Sequence, residues 1–324
     1  MSKTTILLLC GVLLLIVIAL PIQHLNSQSS QHGFHDVVEV LDKETYVYNA
    51  KKNLAMDVYS PKDGKVNRPL VLFIHGGGFS SGSRDGQLVE EFTPYVTQKG
   101  YVLASISYTL YMKGKSFHCD QLSSEKIKAF ELAADDIRTA YHYIEKNSDK
   151  LKIDPSKVVL MGSSAGAEAM LYEAFRPEKT NASGTQASPN YAGFISLAGA
   201  MIDTTLIKKD NLKPMLLYHG TCDALVPYAS APHHYCSKES PGGLLLHGPA
   251  SITKRYGNLG GSYYLHTFCQ GGHEIANTPM QHFQTEIVSF IDGFVLQQAK
   301  DNVHVISGTN DSACQYGRYS FCQK

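Results

Sequence analysis

Residues 157–170 read KVVLMGSSAGAEAM and contain the clearest structural signal in the chain. The first part, Lys157–Met161, is a short apolar run typical of a strand buried on both faces of a parallel sheet. A helical segment, Glu168–Phe175, comes soon after it. Between them, the small residues Gly162 and Gly166 let a tight strand-to-helix turn close without clashes. The context predicts an elbow that exposes the Ser164 hydroxyl above the sheet edge, at the start of a helix.

Similar short apolar runs recur along the chain and alternate with helical segments. The predicted strands are 37–41, 45–49, 54–59, Leu70–Ile74, Val102–Ile106, Ala192–Leu197, Met215–Tyr218 and Tyr263–Thr267. Apolar residues at steps of three and four predict one helix across Ile127–Ile144 and a last helix that begins at Thr278-Pro279 and reaches Phe294. This alternation predicts a single α/β domain with a mostly parallel central sheet and helices on both faces.

A second motif, His75-Gly76-Gly77-Gly78-Phe79, stands directly after the predicted strand Leu70–Ile74. Three consecutive glycines are compatible with a plain flexible turn. At the carboxyl edge of a sheet they also let backbone N–H groups point into a cleft, where they can hold an oxyanion. The amides of Gly77, Gly78 and Ala165 would then form a complete oxyanion hole beside Ser164.

A serine hydroxyl needs a base to become nucleophilic, and the base needs an acid to orient it. His273 is the favoured base among the 14 histidines, because it follows the predicted strand Tyr263–Thr267 and precedes the last helix. Its alternative interpretation is a plain loop histidine. Three other histidines fit worse, since they break the order nucleophile, acid, histidine: His219, His233 and His234.

The favoured acid is Asp223, which lies just past the predicted strand Met215–Tyr218. Three other aspartates are explained more simply as solvated charges: Asp203, Asp210 and Asp292. In this scheme Ser164 is the nucleophile, His273 is the general base and then the general acid, and Asp223 holds the imidazole tautomer and stabilises its charged form.

The elements HGGGF, GSSAG, HGTCDALVP and GGH, in this order and spacing, resemble those of the serine esterases of the α/β-hydrolase fold. They are most similar to the HGGG carboxylesterases related to hormone-sensitive lipase and to bacterial esterases that act on acetylated or feruloylated plant polysaccharides. The resemblance covers roughly residues 45–297 and implies that fold, with a nucleophile elbow at Ser164. It also implies the triad and oxyanion hole named above, with motif support from His75, Gly76, Gly162 and Gly166.

Three other functions stay open. An arylformamidase-like amidohydrolase would use the same glycine-rich hole and triad, although the known members work inside cells. A serine peptidase of the prolyl-oligopeptidase type usually takes its second oxyanion donor from a Tyr side chain, which the triple glycine makes unnecessary. A non-catalytic binding protein on a hydrolase scaffold would be expected to lack a triad member, and all three are present.

The segments expected to contact the substrate are connections between the predicted strands and helices. Two long connections, Ser107–Leu122 and Ser237–Leu259, are expected to wall the acyl and alcohol pockets. The chain has 19 Tyr and no Trp, so a sugar ring would stack on Tyr or Phe. We expect a small-molecule or polysaccharide-linked ester as the partner, with no metal and no cofactor.

Composition and the N-terminus suggest an exported globular protein. Hydrophobic residues make up 43% of the chain, and 29 Lys+Arg balance 29 Asp+Glu, so no net field favours a nucleic acid. Lys3 precedes an apolar run, Ile6–Leu20, and a polar stretch follows, which is the layout of a secretory leader. We expect a leader at 1–27 and a catalytic domain at 28–324, with a Cys-containing tail at 298–324. The alternative, an anchor through residues 6–22, falls short of the about 20 apolar residues that spanning requires.

Six of the seven cysteines lie after the predicted leader: Cys119, Cys222, Cys236, Cys269, Cys314 and Cys322. An even number of cysteines in an exported chain predicts disulfides. Cys314 and Cys322 flank a short stretch of the tail and are predicted to pair. Because the acid and base loops must converge, Cys269 is predicted to bridge to Cys236 or Cys222, with Cys236 favoured.

Overall fold

The computed structural model describes residues 41–177, 188–308, 314 and 316–323. The strands, in chain order, are β1 (Leu41–Asn49), β2 (Leu54–Pro61), β3 (Arg68–Ile74), β4 (Val102–Ile106), β5 (Ile153–Ser163), β6 (Gly193–Leu197), β7 (Met215–Gly220), β8 (Ser230–Pro232), β9 (Leu245–His247), β10 (Tyr263–Phe268) and β11 (Asn302–Ser307). Nine of them form one sheet in the order β1-β2-β4-β3-β5-β6-β7-β10-β11. Strand β2 runs antiparallel to both of its neighbours, and every other pairing in this sheet is parallel.

The helices are α1 (Gln87–Thr97), α2 (Ser123–Lys146), α3 (Ser148–Leu151), α4 (Ala165–Phe175), α5 (Pro249–Leu259), α6 (Thr278–His282) and α7 (Gln284–Phe290). They cover both faces of the sheet, because alternate side chains of each strand point to opposite sides. Leu70 and Leu72 of β3 pack in one buried cluster with α2, α4 and α5. Val71 and Phe73 pack in a second cluster with α1, α6 and α7. The predicted mostly parallel sheet with helices on both faces is therefore present.

The first predicted strand, 37–41, lies outside the described residues except for Leu41. The second, 45–49, is the end of one longer strand, β1. The predicted helix across Ile127–Ile144 is α2. The predicted leader, 1–27, and the alternative anchor, 6–22, also lie outside the described residues. In the part of the chain that is described, no helix combines the length and apolar character that crossing a membrane requires.

The last helix is not continuous, contrary to the prediction from its apolar stripe. Thr278 and Pro279 begin α6 as expected, but Phe283 leaves the helical conformation with φ −125° and ψ 27°. Its ring packs against His266 and Phe268 of β10, with centroids 4.9 and 5.3 Å apart. The chain resumes as α7 and ends in a π-helical segment, Ile291–Leu296. Packing of Phe283 on the sheet thus takes precedence over the regular helical path.

The connection predicted at Ser237–Leu259 also differs from a single long loop. Its second half is α5, which buries Ile252 and Tyr256 at helical spacing. Just before α5, β9 pairs with β8 in a small antiparallel hairpin. The other predicted connection, Ser107–Leu122, has no helix or strand.

All six cysteines form disulfides, but the predicted pairings are wrong. The pairs are Cys119–Cys236, Cys222–Cys314 and Cys269–Cys322. Cys236 follows a turn in which the His234 ring contacts the His118 ring, and this contact carries it to Cys119 instead of Cys269. The Cys269 N–H donates to the Ser307 carbonyl at the end of β11, which directs this cysteine toward the tail. Cys314 and Cys322 therefore tie the tail to two different loops and not to each other.

Candidate active site

Ser164 lies on a sharp turn between β5 and α4, where its backbone adopts φ +50° and ψ −123°. A positive φ is rare for a non-glycine residue and persists only where the surrounding structure imposes it. Two close backbone contacts explain the flanking glycines. A Cβ on Gly166 would lie 2.2 Å from the Ile74 carbonyl oxygen, and one on Gly162 would lie 2.5 Å from the Gly166 oxygen. The predicted elbow is therefore possible only with glycine at these positions.

The structure brings together the three side chains that the sequence selected. The Ser164 Oγ lies 2.7 Å from the His273 Nε2, and the His273 Nδ1 lies 2.8 Å from the Asp223 Oδ2. The carboxylate can only accept, so the Nδ1 carries the hydrogen and the Nε2 is free to accept the serine proton. The His273 side chain is 24% exposed and the Asp223 side chain is fully buried. The His273 ring, which accepts the proton, is thus the part of this hydrogen-bonded series that faces the cleft.

The Asp223 carboxylate is held in a tight turn after β7. Its Oδ1 accepts hydrogen bonds from the backbone N–H groups of Leu225 and Val226, at 2.9 and 3.0 Å. Burial alone would raise the pKa of Asp223, but hydrogen bonds from His219 and His273 hold this pKa below its usual range. The carboxylate therefore stays ionised opposite His273.

The glycine-rich turn after β3 lies beside Ser164 and lines the same cleft. Gly77 has φ +115°, and a Cβ there would lie 2.2 Å from the Ser81 carbonyl oxygen, so the turn requires glycine. Among the described residues, the amide N–H groups of Gly77, Gly78 and Ala165 have no protein acceptor. Three unpaired donors at one cleft are suited to an oxyanion.

His75 and Gly76 support this turn from below. The His75 ring is buried and stacks on Tyr108 with centroids 4.5 Å apart, and burial lowers its pKa. The Tyr108 hydroxyl donates to the His75 carbonyl at 2.9 Å. A Cβ on Gly76 would lie 3.1 Å from the Ser163 carbonyl oxygen, so the turn packs closely on the elbow. These contacts hold the glycine turn against Ser164.

Ser163, to which the sequence assigned no role, joins the elbow to the histidine loop. Its hydroxyl is buried and donates to the Ala276 carbonyl at 2.8 Å, with the Asn277 Oδ1 3.4 Å away. The only feature of the sequence that could have indicated this contact was a small polar residue beside Ser164. The bond fixes the segment that follows His273 relative to the serine.

The cleft above these residues has a volume of about 670 Å³. One rim is polar, with Ser80, Ser81, Ser83 and Gln87. Another part of the lining, here called the wall, combines apolar side chains with imidazoles: Phe117, His118, Leu225, Val226, His233 and His234. Phe117 and His118 belong to the connection 107–122, which was expected to wall the substrate pocket. The connection 237–259 contributes no lining residue among those described.

A buried carboxyl group, Glu168, lies at the base of this wall, one helical turn after Ser164. Its side chain is 1% exposed, and its Oε1 lies 3.4 Å from the His233 Nε2. Burial raises the pKa of Glu168 well above its usual value, and the Asp223 charge raises it further, while Lys126 acts in the opposite direction. Burial likewise lowers the pKa of His233 well below its usual value. Both groups are therefore favoured in their uncharged forms.

The variant Glu168→Gln should be more stable than the wild type at alkaline pH and equally stable near pH 4. Because the folded-state pKa of Glu168 is raised, the folded protein keeps a proton that the unfolded chain releases above about 4.3. Stability is then lost as pH rises, and a neutral Gln side chain does not share this loss. Urea unfolding at pH 4, 6 and 8 measures the difference, with exposed Glu145→Gln as a control for the substitution. A wild type that gains stability over Glu168→Gln with rising pH would contradict the prediction.

Among the described residues, no group of three or more His, Cys, Asp or Glu side chains is placed to hold a metal ion.

The chain is similar to known esterases in sequence. The BD-FAE family model matches residues 56–195. Fumonisin B1 esterase from Sphingopyxis macrogoltabida is 31% identical over 120 residues, which cover 36% of this chain and 22% of that protein. Liver carboxylesterase B-1 from Rattus norvegicus is 25% identical over 191 residues, which cover 57% of this chain and 31% of that protein. The match with the fumonisin esterase thus spans about a fifth of that relative's length.

Solved structures extend the likeness over most of the chain. Esterase Est2 from Thermogutta terrifontis has a TM-score of 0.57 at 18% identity, covering 79% of this chain and 92% of that one. The same esterase phosphorylated by paraoxon has a TM-score of 0.58 at 19% identity, covering 79% of this chain and 94% of that one. With the sheet order and the elbow, the structural similarity gives the chain the α/β-hydrolase fold, and the sequence similarity is to proteins named as esterases.

Proposed function

We propose that the chain is a serine carboxylesterase that hydrolyses short-chain acyl esters. The observation that carries this proposal is the hydrogen-bonded series Ser164, His273, Asp223 at a strained elbow that opens into a cleft. The sequence similarity to proteins named as esterases supports the same bond type.

In the proposed reaction, the Ser164 Oγ attacks the ester carbonyl carbon while its proton moves to the His273 Nε2. The Asp223 carboxylate stabilises the resulting imidazolium. The carbonyl oxygen becomes an oxyanion that accepts hydrogen bonds from the amides of Gly77, Gly78 and Ala165. His273 then protonates the leaving alcohol, which leaves an acyl group on Ser164. A water molecule, deprotonated by His273, attacks this acyl group; the bond to the Ser164 Oγ breaks, His273 returns the proton to that oxygen, and the acid leaves.

The acyl group is proposed to be small, of the acetyl or feruloyl type, and the alcohol to be polar. The cleft is suited to this assignment because apolar side chains such as Phe117, Leu88 and Val89 would contact the acyl group, while the lining serines Ser80, Ser81 and Ser83 would contact a polar alcohol. We also propose that the protein is exported with its leader removed. Three disulfides suit an oxidising compartment.

The purified protein should hydrolyse p-nitrophenyl acetate, and excess chelator should leave the rate unchanged, because no step of the proposed reaction uses a metal. A panel of p-nitrophenyl acetate, butyrate and octanoate, acetylated xylan, a feruloylated oligosaccharide and a formylated aromatic amine tests the substrate class in one preparation. Turnover should fall with acyl length and be absent on the formamide. Activity lost to the chelator, or confined to the formamide, would reject the esterase proposal.

A further inference from the structure

A second histidine, His219, contacts the same Asp223 oxygen that meets His273. Its Nε2 lies 3.3 Å from the Asp223 Oδ2 and 3.0 Å from the Val226 carbonyl oxygen. The carbonyl can only accept, so the Nε2 of His219 carries a hydrogen. This N–H bonds to the turn carbonyl and lies within ion-pair distance of the carboxylate oxygen. The sequence placed His219 only among the less suitable bases.

The buried position of His219 would destabilise the folded state if this side chain served packing alone. The residue is the last but one of β7 and lies in the core: its side chain is 1% exposed, and its ring meets the Tyr228 ring edge-on at 5.9 Å. Among the described residues, its Nδ1 has no hydrogen-bond partner. A buried polar atom without a partner destabilises the folded state, and an apolar side chain would avoid that cost.

We propose that His219 is a positioning residue: its Nε2–H holds the Asp223 carboxylate in the orientation that presents Oδ2 to His273. The other oxygen, Oδ1, is fixed by the amides of Leu225 and Val226. Without His219, Oδ2 would keep His273 as its single donor among the described residues. His219 can have this role only if Ser164, His273 and Asp223 act as proposed above.

Two substitutions with side chains of similar length distinguish loss of the hydrogen-bond donor from loss of packing volume. His219→Gln keeps a side-chain N–H near the position of Nε2, and His219→Met keeps the bulk without a donor. A hydrogen bond to a charged group is lost only in the Met variant, so kcat on p-nitrophenyl acetate should fall about 10- to 100-fold there. We expect KM to change less than about twofold, and His219→Gln to recover most of kcat, since the lost bond orients the acid and does not bind substrate.

The pH dependence of kcat/KM provides a measurement that a purely structural role of His219 would leave unchanged. With one donor fewer, the Asp223 charge holds the His273 imidazolium more strongly, so the acid limb of kcat/KM should move to higher pH in His219→Met. The other titratable groups around this pair, which are Glu168, His233, His234 and Tyr235, are the same in both variants. A shift in His219→Met but not in His219→Gln therefore reports on the donor.

Active-site titration with a fluorophosphonate normalises each rate to folded, reactive enzyme. An unchanged kcat per titrated site and an unchanged acid limb in His219→Met would overturn the proposal, including when its melting temperature falls. The second-order rate of fluorophosphonate labelling of Ser164 tests the same bond without an ester. A wild type that labels but cleaves no ester would reject the proposed function alone. Equal labelling rates in the wild type and His219→Met would reject the role of His219.

Discussion

Ser164→Ala should lower kcat for p-nitrophenyl acetate by about 10⁴- to 10⁶-fold while the protein stays folded. Among the described residues, the Ser164 Oγ, 2.7 Å from the His273 Nε2, is the one hydroxyl placed to transfer its proton to that nitrogen. Its removal leaves no nucleophile for an acyl-enzyme, and the remaining donors support only slow attack by water. The elbow should persist, because its sharp turn depends on the close contacts of Gly162 and Gly166 and not on the hydroxyl.

The neighbouring serine offers a matched control. Ser163→Ala removes a hydroxyl one residue away, which donates to the Ala276 carbonyl and touches no reacting atom. We expect kcat to fall less than about tenfold there, with a stability loss of about 1 kcal/mol for one buried hydrogen bond. Fluorophosphonate should add to the wild type and to Ser163→Ala but not to Ser164→Ala. A Ser164→Ala protein that keeps more than about 1% of the wild-type rate would show that another residue is the nucleophile.

Sheet geometry explains how the acid and base proposed from the sequence come to lie together. Strands β7 and β10 are parallel neighbours in register, from Met215 beside Tyr263 to Gly220 beside Phe268. Their following loops leave the same edge of the sheet, so Asp223 and His273 meet although they are 50 residues apart. The same edge receives Ser164 from β5. A short apolar run followed by a polar, reactive residue is a local sequence pattern. Parallel pairing places the residues that follow several such runs at one edge of the sheet, where they form one site.

The features that the sequence did not predict depend on packing between distant segments. Glu168 and His219 look in sequence like ordinary residues of a helix and a strand, and only the fold shows that both are buried near Asp223. The break at Phe283 depends on aromatic neighbours on β10. The partners of Cys222 and Cys269 lie in the tail after β11, which no periodicity describes. Local pattern thus predicts the elements and the catalytic order, and tertiary contacts decide the rest.

The C-terminal tail should prove necessary for the geometry of the acid and base loops. Cys222 precedes Asp223 and pairs with Cys314, while Cys269 lies four residues before His273 and pairs with Cys322. Aromatic packing adds to these links. The Tyr319 ring meets the Tyr228 ring edge-on with centroids 4.8 Å apart, and Tyr316 stacks on Tyr235 at 3.9 Å. One short segment therefore restrains both loops that must converge for proton transfer.

Replacing both partners of each disulfide by serine separates this restraint from general stabilisation. The bridges span 92, 53 and 117 residues, so chain entropy predicts a similar loss of about 4 to 5 kcal/mol for each. Removing either tail bridge should also lower kcat per titrated active site by about tenfold, since a displacement near 1 Å between acid and base can cost more than that. Removing Cys119–Cys236 releases the neighbouring wall residues His118 and His234 while both tail bridges remain, and should therefore raise KM more than it lowers kcat. Measured below the melting temperature of all three variants, equal kcat values would mean that the tail contributes stability alone.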